Sequence, residues 1–262
     1  ARVQLACPLE EAEIEAEFGD AIIEATETAF DASAGALRAR RVRRLGTLAL
    51  SERTAAVEPG AEAMAALARA AAGRGIARLP WSAAQAQTLD RARFLAAAAP
   101  ELWPDLSEER LAATAEHWLA PALDGLTALS QIDAGRLGRA LDHVLPWELA
   151  RRLEAEAPTH FVAPTGSRLA IDYAADGGPE IAVRVQELFG LDRHPSLAGG
   201  KLPLTVALLS PAHRPIQRTR DLPAFWRGSW REVRSEMRGR YPKHPWPEDP
   251  LTAPATTRVK PR

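Results

Sequence analysis

Residues 210–250 read SPAHRPIQRTRDLPAFWRGSWREVRSEMRGRYPKHPWPEDP, and this stretch decides how the C-terminal part of the chain folds. Asp221 is suited to cap the start of a helix, and Pro223 is suited to the first helical turn. The sequence therefore predicts one helix from about residue 222 to 238, ended by Gly239. The prolines that follow have no amide hydrogen to donate, so an extended arm is expected after the helix.

The predicted helix has an aromatic side and a basic side. Residues three and four positions apart share a helix face, and this spacing joins Phe225, Trp226, Trp230, Val233 and Met237. The neighbouring face repeats Arg227, Arg231, Arg234 and Arg238. Two interpretations stay open. Either the aromatic side packs on a sheet while the arginines pair with acids, or the helix stacks on single-stranded nucleic acid and neutralises it.

The arm after the helix, residues 240–246, reads RYPKHPW and also has two interpretations. It is either a basic, aromatic clamp in which Lys243 contacts a ligand, or an extended arm that Tyr241 and Trp246 hold against the domain. From residue 211 onward, 12 Lys and Arg stand against 5 Asp and Glu, although the whole chain has a net charge of −1. A basic end on an acidic body favours a polyanion or an acidic partner domain, without choosing between them.

The first 57 residues are predicted to form a β module. Residues 2–6 and 22–30 resemble strands, residues 8–18 resemble an acidic helix, and residues 37–50 resemble a strand that returns after a turn. The returning strand carries five arginines, which are Arg38, Arg40, Arg41, Arg43 and Arg44. They form either a solvated strand face or a strip that contacts phosphates, with Arg41 and Arg43 as the candidates.

Residues 58–157 are predicted to be helical, and Trp81, Trp103, Trp118 and Trp147 are expected in the core between these helices. One of the helices is expected to start at Ser107. After residue 158, short segments between Gly and Pro turns predict four or five strands. The turn Pro164-Thr-Gly-Ser-Arg168 is either a plain hairpin turn or an anion-binding turn in which Ser167 and Arg168 donate hydrogen bonds.

Sequence motifs for catalysis are absent from the chain. There is no G-x-x-x-x-G-K-[ST] loop, no Asp-Glu-x-His run, no H-E-x-x-H and no G-x-S-x-G. No two histidines have the spacing of a zinc site, so neither a catalytic residue nor a metal or cofactor site is predicted. Cys7 is the only cysteine, which excludes an internal disulfide and fits the cytoplasm. No apolar run reaches the roughly 20 residues of a membrane span, so no membrane contact is expected.

Several segments resemble the C-terminal region of the HrpB-type ATP-dependent RNA helicases, bacterial members of the DEAH-box group. They are PTGSR (164–168), VRVQELFG (183–190), SPAHRPIQ (210–217), TRDLPAFWRGSW (219–230) and EVRSEMRGRYPKHPWPEDP (232–250). The resemblance implies that two motor domains, which use ATP and Mg²⁺, lie upstream in the longer protein and are partners in cis. It also implies that the first 57 residues belong to an OB-like fold.

The expected fold is α+β, with a partial OB-like β module (1–57), a helical region (58–157) and a C-terminal domain (158–262). That domain is expected to combine a small antiparallel sheet, a capping Trp- and Arg-rich helix, an extended arm and a Pro-rich basic tail. The expected role is contact with single-stranded RNA or support of the motor domains. The alternative is a protein-docking module without nucleic-acid contact, and the missing ATPase motifs leave open whether the chain is itself an enzyme. The candidate nucleic-acid contacts are Arg227, Arg231, Arg234, Lys243, Ser167, Arg168, Arg41 and Arg43, and the candidate structural aromatics are Phe225, Trp226, Trp230, Tyr241 and Trp246.

Overall fold

The structure, a computed structural model, describes residues 8–258. These residues group into two units. Unit 1 contains the described residues up to Ser82 together with Ser107–Val144, and unit 2 contains Ala83–Leu106 together with the described residues from Leu145 onward. Both units mix helices and strands, which confirms the α+β class. The predicted strand at residues 2–6 lies outside the described residues, and the division into three domains stays a prediction.

The elements follow one another in this order. Within residues 8–258 the α-helices are α1 (Glu11–Phe18), α2 (Ala61–Gly73), α3 (Ala83–Ala98), α4 (Glu108–Ala113), α5 (Ala115–Trp118), α6 (Ala134–Val144), α7 (Trp147–Glu156), α8 (Leu222–Arg227) and α9 (Trp230–Arg240). The strands are β1 (Ile22–Asp31), β2 (Ala36–Leu45), β3 (Leu48–Ala55), β4 (His160–Val162), β5 (Arg168–Ala170), β6 (Glu180–Arg184), β7 (Ser196–Leu197), β8 (Leu202–Pro203), β9 (Thr205–Leu209) and β10 (Pro215–Thr219). Among the described residues, no helix has the length and apolarity that crossing a bilayer requires.

In unit 1, an antiparallel meander in the order β1-β2-β3 packs with helices. The sequence predicted a single returning strand over residues 37–50, but the chain turns at Gly46 and continues as β3. The φ of 59° at Gly46 is in the left-handed region that favours glycine. Behind the meander, α2, α4, α5 and α6 bury a core that includes Leu67, Leu111, Trp118, Leu123 and Leu137. Ser107 caps α4 as predicted, because its hydroxyl accepts the N–H of Arg110 at 3.2 Å.

The main sheet of unit 2 has the order β10-β9-β6. Strands β9 and β10 are antiparallel, as predicted, whereas β6 runs parallel to β9. A parallel pair needs a long crossover, and residues 185–204 provide it, including the β7–β8 hairpin. A separate antiparallel hairpin, β4–β5, carries the turn at residues 163–167.

The Trp- and Arg-rich segment of unit 2 forms two helices instead of the predicted one. Gly228 has φ −104° and ψ −88°, so the chain leaves the helical conformation between α8 and α9. A Cβ atom at this position would lie 3.2 Å from the carbonyl oxygen of Ala224, which favours glycine there. Helix α9 continues to Arg240, so Gly239 lies inside it and does not end it. Asp221 caps α8 as predicted, accepting the N–H of Ala224 at 2.8 Å.

The four tryptophans predicted for the helical core have different surroundings. Trp103 and Trp118 are buried, and Trp81 is half-buried and stacks on Trp118 at a centroid distance of 6.3 Å. The prediction was wrong for Trp147, whose side chain is 63% exposed. Trp147 is the first residue of α7, a helix in which Leu153 is the buried residue, so its ring falls outside the buried stripe.

Candidate nucleic-acid interface

The aromatic side of α8 and α9 is buried within unit 2. Trp230 is 2% exposed, and its ring meets the rings of Phe189 and Trp226 edge-on, each at a centroid distance of 5.5 Å. Phe225, Trp226 and Met237 are also buried, and Val233 is half-buried. Burial of this much aromatic surface fixes the orientation of both helices. It also removes these rings from any stacking on a ligand.

In the structure the arm begins after α9 and extends beyond the predicted segment, over residues 241–258. It is held on unit 2 by hydrogen bonds from indole and main-chain groups. The indole N–H of Trp230 donates to the carbonyl of Pro247 at 3.2 Å, and within the arm the indole N–H of Trp246 donates to the carbonyl of Tyr241 at 2.9 Å. Main-chain bonds join Gly190 N–H to Pro250 O and Thr256 N–H to Gln186 O. Trp246 is buried, Tyr241 is half-buried and Lys243 is exposed. The arm is therefore an integral part of the domain surface.

The basic side of α8 and α9 carries three free cations. Arg227, Arg231 and Arg238 are exposed, and across residues 8–258 none of the three has an ion-pair or hydrogen-bond partner for its guanidinium group. Arg231 and Arg238 are two helical turns apart on one face, about 10 Å along the axis. Of the two acids of α9, Glu236 is paired with Arg240 at 3.1 Å, whereas the exposed Glu232 offsets part of this charge.

Arg234, which the sequence grouped with these arginines, has a different environment. It is half-buried, its Nε–H donates to the carbonyl of Trp246 at 3.0 Å, and its Nη2 pairs with Glu248 at 3.1 Å. Its charge is therefore used to hold the arm. Arg238 takes its place as a free cation on this face.

The turn at residues 164–168 is fixed by a buried carboxylate. Glu187 is 5% exposed, and its oxygens receive Arg184 Nε–H at 2.9 Å and lie 3.3 Å from Thr165 Oγ1. Burial by itself raises the pKa of Glu187, but the hydrogen bonds from Ser167, Arg184 and Thr165 outweigh it and hold the pKa below its ordinary value. The Ser167 hydroxyl is thus hydrogen-bonded to the carboxylate of Glu187, whereas Arg168 is exposed.

Arg41 and Arg43 lie on one face of the meander in unit 1. The strand register places Arg41 directly opposite Arg53, and Arg43 opposite Glu24. A groove of about 390 Å³ on this face is lined by Glu24, Arg41, Arg43, Ser51, Arg53, Thr54, Ala55 and Ala56. The sequence analysis did not predict Arg53 as a residue of this groove, because it did not predict β3. The signal that places Arg53 in the groove is the register of β3 with β2.

The cations of this groove are partly neutralised. Arg43 pairs with Glu11, at 2.9 Å, and with Glu15, both on α1, and the hydrogen bond with Glu15 raises the pKa of Arg43. Arg41 lies 3.4 Å from Glu24. Arg53 is exposed and has no ion-pair partner within the described part of the chain. The groove therefore offers less unpaired positive charge than α8 and α9, where Arg227, Arg231 and Arg238 are unpaired within residues 8–258.

The described residues contain no group of three or more His, Cys, Asp or Glu side chains placed to hold a metal ion. The three half-buried histidines of unit 2, His160, His194 and His244, make hydrogen bonds within the domain, and His160 contacts the hydroxyl of Thr159. His194 bridges Leu204 and Leu222, and His244 contacts Gln186. What the site residues offer chemically is positive charge on fixed supports.

Comparison with known proteins gives a consistent result. A family model described as "ATP-dependent helicase C-terminal" (HrpB) matches residues 118–250. Over 234 residues the chain is 42% identical to the ATP-dependent RNA helicase HrpB of Escherichia coli strain K12. This match covers 88% of the chain and 29% of the E. coli protein.

Two solved structures match as well. The crystal structure of the E. coli DExH-box NTPase HrpB superposes with a TM-score of 0.71 and 37% identity, covering 96% of this chain and 31% of that one. The crystal structure of the E. coli DEAH/RHA helicase HrpB gives a TM-score of 0.64 and 35% identity, covering 94% of this chain and 30% of that one. The chain spans less than a third of the length of these relatives. The family model covers about half of the chain, including β4–β5, α8 and α9. The resemblance that the sequence motifs indicated is confirmed: this chain belongs to the HrpB family of ATP-dependent helicases and corresponds to its C-terminal region.

Proposed function

We propose that this chain is an accessory region of an RNA helicase and that it contacts single-stranded RNA through Arg227, Arg231 and Arg238. Support comes from the name of the E. coli relative, an ATP-dependent RNA helicase. The observation that carries the proposal is the unpaired state of these three guanidinium groups on helices whose opposite side is buried. Because the buried side fixes the two helices, binding does not have to order their backbone, and the entropy cost is confined to the arginine side chains.

The mode of contact follows from the two sides of α8 and α9. Trp226 and Trp230 lie in the core, so they are not available to stack on bases. The exposed side offers guanidinium groups, which bind phosphate oxygens, and contacts to phosphate carry no sequence information. We therefore propose contact with the RNA backbone, with little preference for base sequence and a strong dependence on salt.

The other candidates take secondary parts in the proposal. Lys243 and Arg168 are exposed and are retained as further phosphate contacts. Ser167 and Arg234 are left out, because each is engaged within the domain. Arg41, Arg43 and Arg53 form a second, weaker contact in the groove of the meander, which we propose to be part of an OB-like module. ATP and Mg²⁺ are assigned to motor domains in the same cytoplasmic polypeptide.

The test is fluorescence anisotropy of a labelled oligouridine titrated with the 262-residue chain at several salt concentrations. We expect binding that weakens with salt, with a slope of log K against log salt of about −0.7 for each phosphate contact. The double variant Arg227→Gln/Arg231→Gln should bind more weakly and lose about 0.7 of slope for each contact removed.

Arg240→Gln is the matched control. Arg240 is exposed on α9 like Arg231, but it is ion-paired with Glu236, so its removal should change RNA affinity much less. Equal losses in Arg240→Gln and in the single variant Arg231→Gln, which each remove one charge, would mean that only overall charge matters, which contradicts the proposed face. Absence of binding at low salt would favour the alternative, a protein-docking role for this face.

A further inference from the structure

A second cationic cleft lies in unit 1, at the C-terminal end of α2. It is about 590 Å³ in volume and is lined by Ala71, Arg74, Gly75, Arg78, Leu79, Pro80, Leu129, Ser130 and Ile132. This volume is within the roughly 300–1,000 Å³ range of small-molecule sites. The cleft shares no lining residue with the groove of the meander.

The lining of this cleft combines positive charge with an apolar surface. Arg74 and Arg78 are its charged residues, Ser130 adds a hydroxyl, and no carboxylate is among the lining residues. The remaining side chains, Leu79, Pro80, Leu129 and Ile132 among them, are apolar. An anion attached to a flat apolar body matches both parts of the lining.

Both arginines are available to a ligand. Arg78 is exposed, and within residues 8–258 its side chain has no ion-pair or hydrogen-bond partner. Arg74 is exposed as well; its guanidinium lies 5.9 Å from the ring centroid of Phe30 and makes only a 3.5 Å contact with the carbonyl of Ala32. The dipole of α2 explains a cation at Arg74, which follows the last helical residue. It does not explain a second cation facing the same cleft.

One carboxylate borders the cleft and weakens its potential. The Oε1 atom of Glu108 accepts the N–H of Ala77 at 3.1 Å and would lie 3.5 Å from a Cβ atom at Gly75. Gly75 has a φ of 103°, which lets the chain reverse after α2 and brings Arg78 back to the same cleft. Glu108 is therefore a structural acceptor whose charge opposes an anion in the cleft.

We propose that this cleft binds a nucleoside monophosphate, either as a free nucleotide or as one unit of an RNA strand. The forked guanidinium groups of Arg74 and Arg78 match the geometry of phosphate oxygens. Pro80, Leu129 and Ile132 provide an apolar surface for the base, and the hydroxyl of Ser130 is a hydrogen-bonding partner for its edge or for the ribose. The site is independent of the arginine face on α8 and α9.

Isothermal titration calorimetry of the chain with UMP, uridine and inorganic phosphate tests the proposal. We expect UMP to bind more tightly than either uridine or phosphate. Arg78→Gln should weaken UMP binding about tenfold, as the loss of one charge-assisted hydrogen bond does. Glu108→Gln keeps an acceptor for Ala77 but removes the opposing charge, so it should strengthen binding.

Arg69→Gln is the control, because Arg69 also lies on α2 but is paired with Glu116 at 2.8 Å. It should leave the affinity for UMP unchanged, as should Arg227→Gln/Arg231→Gln, so failure of this proposal is separable from failure of the RNA-binding face. The proposal is overturned if UMP gives no binding, if uridine or phosphate alone binds as well as UMP, or if Arg69→Gln has the effect of Arg78→Gln. If a 5′-phosphorylated oligouridine competes with UMP for the cleft, an RNA strand is the source of the nucleotide. If it does not compete, the ligand is a free nucleotide.

Discussion

His194 joins two elements of unit 2 through both nitrogens of its ring. The carbonyl of Leu204 can only accept, so the Nε2 atom 2.7 Å away carries the proton. The N–H of Leu222 can only donate, so Nδ1, at 3.1 Å, is unprotonated. The neutral ring is therefore the form that fits the fold. Burial lowers the pKa of His194, although the bond to Leu204 and the charge of Asp221 act in the opposite direction.

This lowered pKa predicts how stability depends on pH. Below the ordinary histidine pKa of about 6.5 the unfolded chain takes up a proton that the folded chain resists. The contribution of His194 is therefore complete above that value and is lost as the pH falls through its folded pKa. His194→Gln should cost about 1–3 kcal/mol at neutral pH and should flatten the fall in stability toward about pH 5, measured by urea unfolding.

A control with an exposed histidine completes this prediction. His213 is exposed, so His213→Gln should keep both the stability and its pH dependence. A residual dependence is expected in His194→Gln, because burial also lowers the pKa of His244. An unchanged pH profile after His194→Gln would show that the bridge between Leu204 and Leu222 does not depend on the protonation of this ring.

At the scale of elements, the cap of α8 makes a separate prediction. Asp221 accepts the N–H of Ala224 at 2.8 Å, so Asp221→Ala should cost about 1 kcal/mol in the free energy of unfolding. Asp221→Asn keeps a side-chain oxygen at the same place and should retain most of that stability. Urea unfolding followed by tryptophan fluorescence measures both. Equal losses in the two variants would assign the effect to the charge of Asp221 near the helix dipole instead of the hydrogen bond.

The helices could be predicted from the sequence where the cause is local. The cap at Asp221, the cap at Ser107 and the two sides of the Trp- and Arg-rich segment depend on residues within a few positions of each other. The break at Gly228 could not be predicted, because Gly239 is the same residue type and lies inside α9. What differs is the backbone conformation at Gly228 and the space beside it, where the carbonyl of Ala224 approaches.

The site was predictable only in part, because ion-pair partners come from distant positions. Periodicity placed Arg234 with Arg231, but its partners, the carbonyl of Trp246 and the carboxylate of Glu248, belong to the arm. Similarly, Arg53 faces Arg41 only because β3 pairs with β2. The helical period predicts which side chains share a face, but it does not predict which of them the folded chain leaves free.

At the scale of the whole molecule, the density of arginines is a poor guide to available charge. All five arginines of β2 have carboxylate partners: Arg38 with Asp31, Arg40 with Glu52, Arg41 with Glu24, Arg43 with Glu11 and Glu15, and Arg44 with Glu27. Arg227, Arg231 and Arg238 of α8 and α9 have no such partner within residues 8–258. The net charge of −1 therefore conceals two different regions: a strand whose arginines are neutralised by ion pairs, and helices that carry unpaired positive charge.

The arm connects α9 with the segment that follows β6, and Trp246 is its buried anchor. Trp246 is 5% exposed, its ring lies 6.1 Å from that of Trp230, and its indole N–H donates to the carbonyl of Tyr241. Trp246→Ala should therefore cost about 3–5 kcal/mol and should speed hydrogen exchange at the amides of Gly190 and Thr256, whose bonds to Pro250 and Gln186 join the arm to the rest of unit 2.

Trp147→Ala provides the matched control for this last prediction. It removes the same side chain from a position that is 63% exposed and contacts Arg151. Its cost should be at most about 1 kcal/mol, and the exchange rates of Gly190 and Thr256 should not change. If the two substitutions cost the same, the arm is not held by its buried tryptophan. If Trp246→Ala lowers stability without changing exchange at Gly190 and Thr256, the arm remains bound through its main-chain hydrogen bonds alone.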